Sequence, residues 1–269
     1  MNAPSLALGV ILVAAVLGSP AFAAGPDDPG REERWQNIAA YIFEGRKIEP
    51  TDTLIKIEAP KRAMDAALVP IILTTAGNGD IKGVHLVIDD NPSPYAAHVT
   101  FGPAADPAVL KLRVRIDTYT NVHAIAETKD GRLYQTAAFV KASGGCSAPI
   151  GVSDEEAMQG MGEMKMKFAG DPLSGGSIEA TLMVRHPNFS GMQMNQITRL
   201  YRPAHYIDKI VVSYGDTEVV TIAGDISISS DPVFNFSFVP DGPGPMKVVV
   251  SDTEGGRWEQ TFEAIAASN

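Results

Sequence analysis

The chemistry open to this chain begins with a thiol. Cys146, the one cysteine of 269 residues, lies in the stretch VKASGGCSAPIGVSDEEAM, Val140 to Met158, after Gly144 and Gly145 and before Ser147 and Pro149. Thiolates are nucleophiles and metal ligands. Two glycines give the backbone wide freedom and no bulk, and Ser147 adds little. The pattern therefore predicts a flexible arm of Gly144, Gly145 and Ser147 from which the sulfur of Cys146 reaches into another protein's cleft. The acidic trio Asp154, Glu155 and Glu156 works against the thiolate, and no His or Arg in the local sequence favours it. A catalytic cysteine normally has such a base, whereas a carrier can leave activation to its partner enzymes. Cys146 is thus the candidate point of covalent attachment, and no catalytic residue is assigned.

Other chemistry-bearing residues form no motif. His85, His98, His123, His186 and His205 have no H-x-H, H-x-x-x-H or H-E-x-x-H spacing. A zinc-type site would have to be assembled wholly by the fold, so these histidines read as structural and no metal ligand is assigned. No glycine-rich phosphate loop joins a strand to a helix and no G-x-S-x-G elbow occurs, so no cofactor is expected. Asn188-Phe189-Ser190 and Asn235-Phe236-Ser237 match the glycosylation pattern, which is too short to weigh. Met158, Met161, Met164 and Met166 offer soft sulfur suited to Cu(I), and Met183, Met192 and Met194 could in principle join them. The same run reads as a pliable apolar stripe that docks a connecting segment, and that reading is preferred because copper sites usually recruit His or Cys beside Met.

The elements that must position the thiol are mostly strands. Trp35, Ile38, Ala39, Ile42 and Phe43 fall on one face of a short amphipathic helix. Leu110, Leu112, Val114 and Ile116 then alternate with Lys111, Arg113, Arg115 and Asp117, the period of a half-buried strand. Leu54 to Ile57, Val69 to Leu73, Val84 to Ile88 and Ala97 to Phe101 are further strands between turn-rich pieces such as TTAGNGD and DDNPSP. Asp130-Gly131 splits two strand-like runs, a strong hairpin signal. This is the spacing of a β-sandwich.

A change of texture at about Ser143 to Lys165 predicts an interdomain connection. Beyond it, Ile178, Ala180, Leu182 and Val184 alternate with polar or longer neighbours, SYGDTE suggests a hairpin with a longer loop, Phe234, Phe236 and Phe238 share one face, and Gly255-Gly256 marks a last hairpin. The expected fold is all-β: two Ig-like antiparallel sandwiches at 31–143 and 166–269, a short helix before the first, and a linker at 144–165 carrying the arm.

The N-terminal apolar run Leu6 to Leu17 is followed by Ala21-Phe22-Ala23, the small-x-small pattern of an export signal ending at residue 23. The run is too short to span a bilayer, which takes roughly 20 residues. A soluble, exported protein is expected, with no membrane association after cleavage. With 22 basic and 32 acidic residues the formal charge is −10, which repels phosphate backbones and anionic headgroups, so nucleic acid and membrane partners are not expected. A single cysteine cannot close an intramolecular disulfide, leaving the fold to rest on its core and the thiol to react elsewhere.

The stretches DDNPSPYAAHVTFGPAAD and RVRIDTYTNVHAIAETKDGRLYQTAAFVKASGGCSAP resemble the SoxY half of the SoxYZ sulfur carrier. VRHPNFSGMQMNQITRLYRPAHYIDKIVVSYGD and DPVFNFSFVP resemble the SoxZ half. In that order they are similar to the fused type called the quinoprotein dehydrogenase-associated SoxYZ-like carrier. The resemblance implies a periplasmic non-enzyme that holds sulfur intermediates on a cysteine while partner enzymes act on them, with a PQQ-dependent dehydrogenase among the partners. Gly144, Gly145 and Cys146 fall on the Gly-Gly-Cys arm. In separate SoxY the arm ends the chain as Gly-Gly-Cys-Gly-Gly. Here Ser147-Ala148-Pro149 follow and the chain continues, which shortens the reach of the thiol and stiffens it at Pro149. His186-Pro187 and Pro203-Ala204-His205-Tyr206 match SoxZ positions of structural or interfacial kind. The residues leave a second reading open: a noncovalent binding or escort module for a dehydrogenase or a soft metal. The two halves are expected to dock, with Phe189 and Met192 facing the first domain.

Overall fold

The computed structural model describes residues 28–76, 80–170 and 175–263; the expected export signal at 1–23 lies outside the described residues. The first half contains α1 (Gly30–Ile42), β1 (Ile48–Pro50), β2 (Ile55–Glu58), β3 (Val69–Thr75), β4 (Ile81–Ile88), β5 (Tyr95–Phe101), β6 (Ala105–Val114), β7 (Thr120–Thr128) and β8 (Leu133–Val140). The second contains α2 (Asp154–Met158), β9 (Met164–Phe168), β10 (Ile178–Val184), β11 (Phe189–Ser190), β12 (Ala204–His205), β13 (Ile207–Tyr214), β14 (Thr217–Gly224), β15 (Val233–Phe238), β16 (Pro245–Asp252) and β17 (Arg257–Glu263). The fold is mostly β with a short helix before the strands, as the alternation predicted. Every named strand pair except β1 with β8 is antiparallel.

The two sandwiches stand side by side and share their sheets. A nine-stranded sheet runs β1-β8-β7-β4-β5-β14-β13-β16-β17 and a six-stranded sheet runs β2-β3-β6-β15-β10-β9. The halves therefore join twice. β5 pairs with β14, setting Val99 opposite Ile222, and β6 pairs with β15, setting Leu110 opposite Phe236. Between the sheets one apolar cluster continues from Ile55 in the first half to Val250 in the second. Period-2 patterning builds it: Leu110, Leu112 and Val114 on β6, Ile178, Ala180, Leu182 and Val184 on β10, and Phe234, Phe236 and Phe238 on β15 are all buried. Burying each of those rings contributes at most about 3 kcal/mol. Docking of the halves was expected through Phe189 and Met192; it is carried instead by strand pairing and a common core.

Helix α1 lies on the outer face of the large sheet. Trp35 and Phe43 pack there with Val87, Ile125 and Leu133, forming a second apolar cluster that Ile38, Ala39 and Ile42 border.

Three local expectations change. The segment 144–165 is structured: Ser153 caps α2 by accepting from the Glu156 amide at 3.2 Å, and the acidic trio occupies the first turn, where the helix dipole favours negative charge. The methionine run is divided, with Met164 buried and Met166 half-buried on β9 against the core while Met158 is exposed at the end of α2. The β13–β14 connection is a two-residue loop, Gly215-Asp216, because Tyr214 and Thr217 still pair and Gly215 takes a φ of 54°, the left-handed region glycine adopts cheaply.

Candidate functional site

After β8 the chain passes along residues 61–66 and the end of β6. Lys141 N donates to Lys61 O at 3.0 Å, Gly144 N to Asp117 O at 2.7 Å, and Gly145 N to Ile116 O at 3.0 Å. Gly144 has a φ of 75°. Gly145 is pressed so closely on its neighbours that a Cβ there would stand 2.1 Å from Ala66 O and 2.6 Å from Ile116 O. The next residue, Cys146, is 0% exposed. Its carbonyl accepts a hydrogen bond from Ser190 Oγ of the second half, and the Ser190 amide is held in turn by Gln193 Oε1 at 3.0 Å. Ser147 returns to the surface, its hydroxyl 3.4 Å from Gly144 O.

This corrects the expectation of a protruding arm. Gly144, Gly145 and Ser147 form a docked turn and the sulfur is covered. The physical reason is that a glycine lacking Cβ permits close approach as readily as freedom, and amides leaving a strand end seek carbonyl partners. Here Ile116 and Asp117 supply them.

The electrostatics around the sulfur are those of a closed site. Burial pushes the Cys146 thiol up to about 12, Asp117 adding to the effect and Arg115 opposing it. Arg115 is itself 2% exposed. Its guanidinium donates to the carbonyls of Ile228 at 2.5 Å, Ile226 at 3.3 Å and Pro187 at 3.4 Å, while its Nε has no partner. Burial pulls Arg115 down to about 10, with Cys146 acting the other way. Docked, the sulfur is therefore a neutral thiol at pH 7, neither nucleophilic nor reachable. In water a cysteine thiol would titrate at about 8.5. Sequence reasoning missed Arg115 and Ser190: the first read as a polar-face residue of a strand, the second as part of an unweighted glycosylation pattern. No local signal ties either to Cys146.

The fold does gather the scattered histidines. His186, His205 and Asp252 converge, with both imidazole Nε2 atoms on Asp252 Oδ2 at 3.3 and 2.6 Å. His186 Nδ1 accepts from the Asn188 amide at 3.0 Å, and Asp252 Oδ1 accepts from the amides of Glu254 at 3.0 Å and Gly256 at 2.7 Å. Each polar atom of that group named here already has a partner. His123 is satisfied likewise, between Gln135 and Asp89 at 3.2 Å each and stacked on Trp35. His85, His98 and Glu127 form the other cluster. Burial, with His98 nearby, lowers His85 to about 4, and burial lowers His98. Burial acts to raise Glu127, but Arg46 and Lys82 hold its carboxyl below the ordinary value.

Residues 39–146 match the family model of Sulfur oxidation protein SoxY, and residues 166–263 match that of Sulphur oxidation protein SoxZ. No curated protein matches the chain. Among solved structures, the sulfur carrier protein SoxY from Chlorobium limicola f thiosulfatophilum is 25% identical with a TM-score of 0.36, over 42% of this chain and 94% of that one. A beta-glycosidase from Bacteroides vulgatus is 10% identical with a TM-score of 0.22, over 79% of this chain and 25% of that one. Likeness at these TM-scores carries no weight for function.

Proposed function

We propose that this chain, which fuses a SoxY domain to a SoxZ domain, is a carrier that holds a sulfur-type group on Cys146 for partner enzymes and catalyses nothing itself. One observation carries the reading: the only thiol is the last residue of the SoxY match and directly follows Gly144 and Gly145. Its burial fits a carrier if a partner opens the turn, which would give the thiol back its ordinary acidity. No imidazole or carboxylate is bonded to the sulfur among the described residues, consistent with activation supplied from outside.

Loading in this reading is thiol–disulfide exchange. The opened Cys146 thiolate attacks one sulfur of a donor disulfide, a new S–S bond forms, the donor's S–S bond breaks, and its other sulfur leaves as a thiolate, with no net gain or loss of electrons. Export to the periplasm rests on the N-terminal leader pattern, and association with a PQQ-dependent dehydrogenase rests on the resemblance of the fused arrangement. Both belong to the proposal.

Burial of the sulfur itself favours a second reading, the noncovalent escort, in which Cys146 is a core residue. Intact-mass measurement on protein isolated from its native source under acid quench separates the two. An added mass mapping to Cys146 and absent from Cys146→Ser supports the carrier. A wholly free thiol, with Cys146→Ser retaining full function in the cell, overturns it in favour of the escort.

A further inference from the structure

We propose that His85, His98 and Glu127 bind a divalent first-row transition ion on the outer face of the large sheet, beside the seam between the two halves. This site does not rest on the carrier reading and uses none of its residues.

The donor atoms lie within 4.8 Å of one another. The decisive feature is His85 Nε2, which is buried and has no hydrogen-bond partner on a residue 6% exposed. Glu127 Oε2 stands 3.6 Å away, beyond hydrogen-bond reach. Leaving a buried polar nitrogen unpaired is unfavourable, and a ligated ion removes that penalty. The other ring nitrogen, Nδ1, is 2.6 Å from Tyr95 Oη. With the proton on Nδ1 donating to Tyr95, the Nε2 lone pair faces the cluster, the arrangement in which an outer hydrogen bond fixes the tautomer of a metal-ligating histidine.

His98 is half-buried and makes no hydrogen bond among the described residues. Its ring lies nearly parallel to that of His85, 4.1 Å away, so an ion in the plane of His85 requires the outer ring to turn. Gly83 leaves room on that side, since a Cβ there would be 3.3 Å from His98 Nε2. His98 sits on β5 opposite Ala223 of β14, so the second half forms one wall beside it. Glu127 has Oε1 engaged by Arg46 at 3.1 Å and Lys82 at 3.5 Å, leaving Oε2 toward His85. Those cations oppose a second positive charge, but they are 42% and 54% exposed, where solvent screens them.

Two imidazoles and one carboxylate suit zinc, copper(II) or nickel(II) and not calcium or magnesium, which want more oxygen. Three protein ligands also leave a tetrahedral ion with one position for water or an incoming ligand. In the His186–His205–Asp252 group, by contrast, both facing imidazole nitrogens already bond Asp252 Oδ2.

The test uses the full chain, stripped with EDTA and carrying Cys146→Ser so that the thiol cannot bind. Calorimetric titration with zinc chloride at neutral pH should show one equivalent bound with a Kd of about 1 μM or tighter. Cobalt(II) should give the visible absorption of a low-coordinate site. His98→Ala and Glu127→Gln should each weaken zinc at least about tenfold and abolish the cobalt band. Melting curves verify that each variant is folded, and the isosteric Glu127→Gln decides if the other is not. No saturable binding, or one-equivalent binding unchanged in a folded variant, overturns the site.

Discussion

Gly145→Ala tests the docked turn directly. A Cβ at that position would lie 2.1 Å from Ala66 O and 2.6 Å from Ile116 O, and both are backbone atoms of strand-flanking segments that cannot swing aside as a side-chain tip can. The turn must lift, breaking the Gly144–Asp117 and Gly145–Ile116 hydrogen bonds and returning Cys146 to water. The magnitude follows from the thiol acidity. Docked, the group titrates at about 12; in water a cysteine titrates at about 8.5. At neutral pH the docked thiolate fraction is lower by about three orders of magnitude, before any steric protection. The assay is the rate of reaction with an aromatic disulfide reagent under native conditions. The wild-type protein should react at least about a hundredfold more slowly than a small free thiol, and Gly145→Ala should recover most of that deficit. The pH dependence gives a second signature: the variant's rate should level off above the ordinary thiol pKa, whereas the wild-type rate should keep climbing. Because the docked pKa is raised, burial of Cys146 stabilises the fold fully below about pH 9, and that contribution is lost as pH rises toward 12. A wild-type rate close to that of a free thiol, or a folded Gly145→Ala with no acceleration, would refute the reasoning.

Cleaving the exposed stretch around Ser147 to Ser153 at an engineered protease site should leave the halves together, because β5–β14 and β6–β15 pairing and the common core survive; size-exclusion chromatography should show one species of unchanged volume. Gly102→Ala should lower stability by on the order of 3 kcal/mol, since a Cβ there would sit 2.2 Å from Glu218 O at the seam, and denaturant unfolding measures it. Ser190→Ala removes the latch on the Cys146 carbonyl and should speed thiol modification about tenfold with a stability loss near 1 kcal/mol. Burial lowers His186 despite Asp252 beside it. The folded state then binds fewer protons than the unfolded one, so stability should fall as pH drops below the ordinary histidine value of 6.5; melting temperatures in metal-free buffer at pH 7 and pH 5 test the sign.

What the sequence alone determined was whatever depends on neighbours along the chain. Alternation placed Leu110, Leu112 and Val114, and likewise Phe234, Phe236 and Phe238, on inward faces, because a strand turns successive side chains to opposite sides whatever it later pairs with. Asp130-Gly131 marked a hairpin because only certain residues accept the turn's dihedrals, and Gly131 does take a positive φ. The motif sets of both halves were legible in their order. Tertiary structure alone decided what depends on distant partners. Edge strands β5 and β6 accept β14 and β15 through backbone groups that carry no side-chain label, so the fusion of the two sheets had no sequence signature. The same holds for Cys146: glycine before a thiol permits both a swinging arm and a close-packed turn, and the choice falls to carbonyls about thirty and eighty residues upstream. His85, His98 and Glu127 lie on three strands that meet only because register sets β4 between β5 and β7, and no spacing along the chain encodes a register.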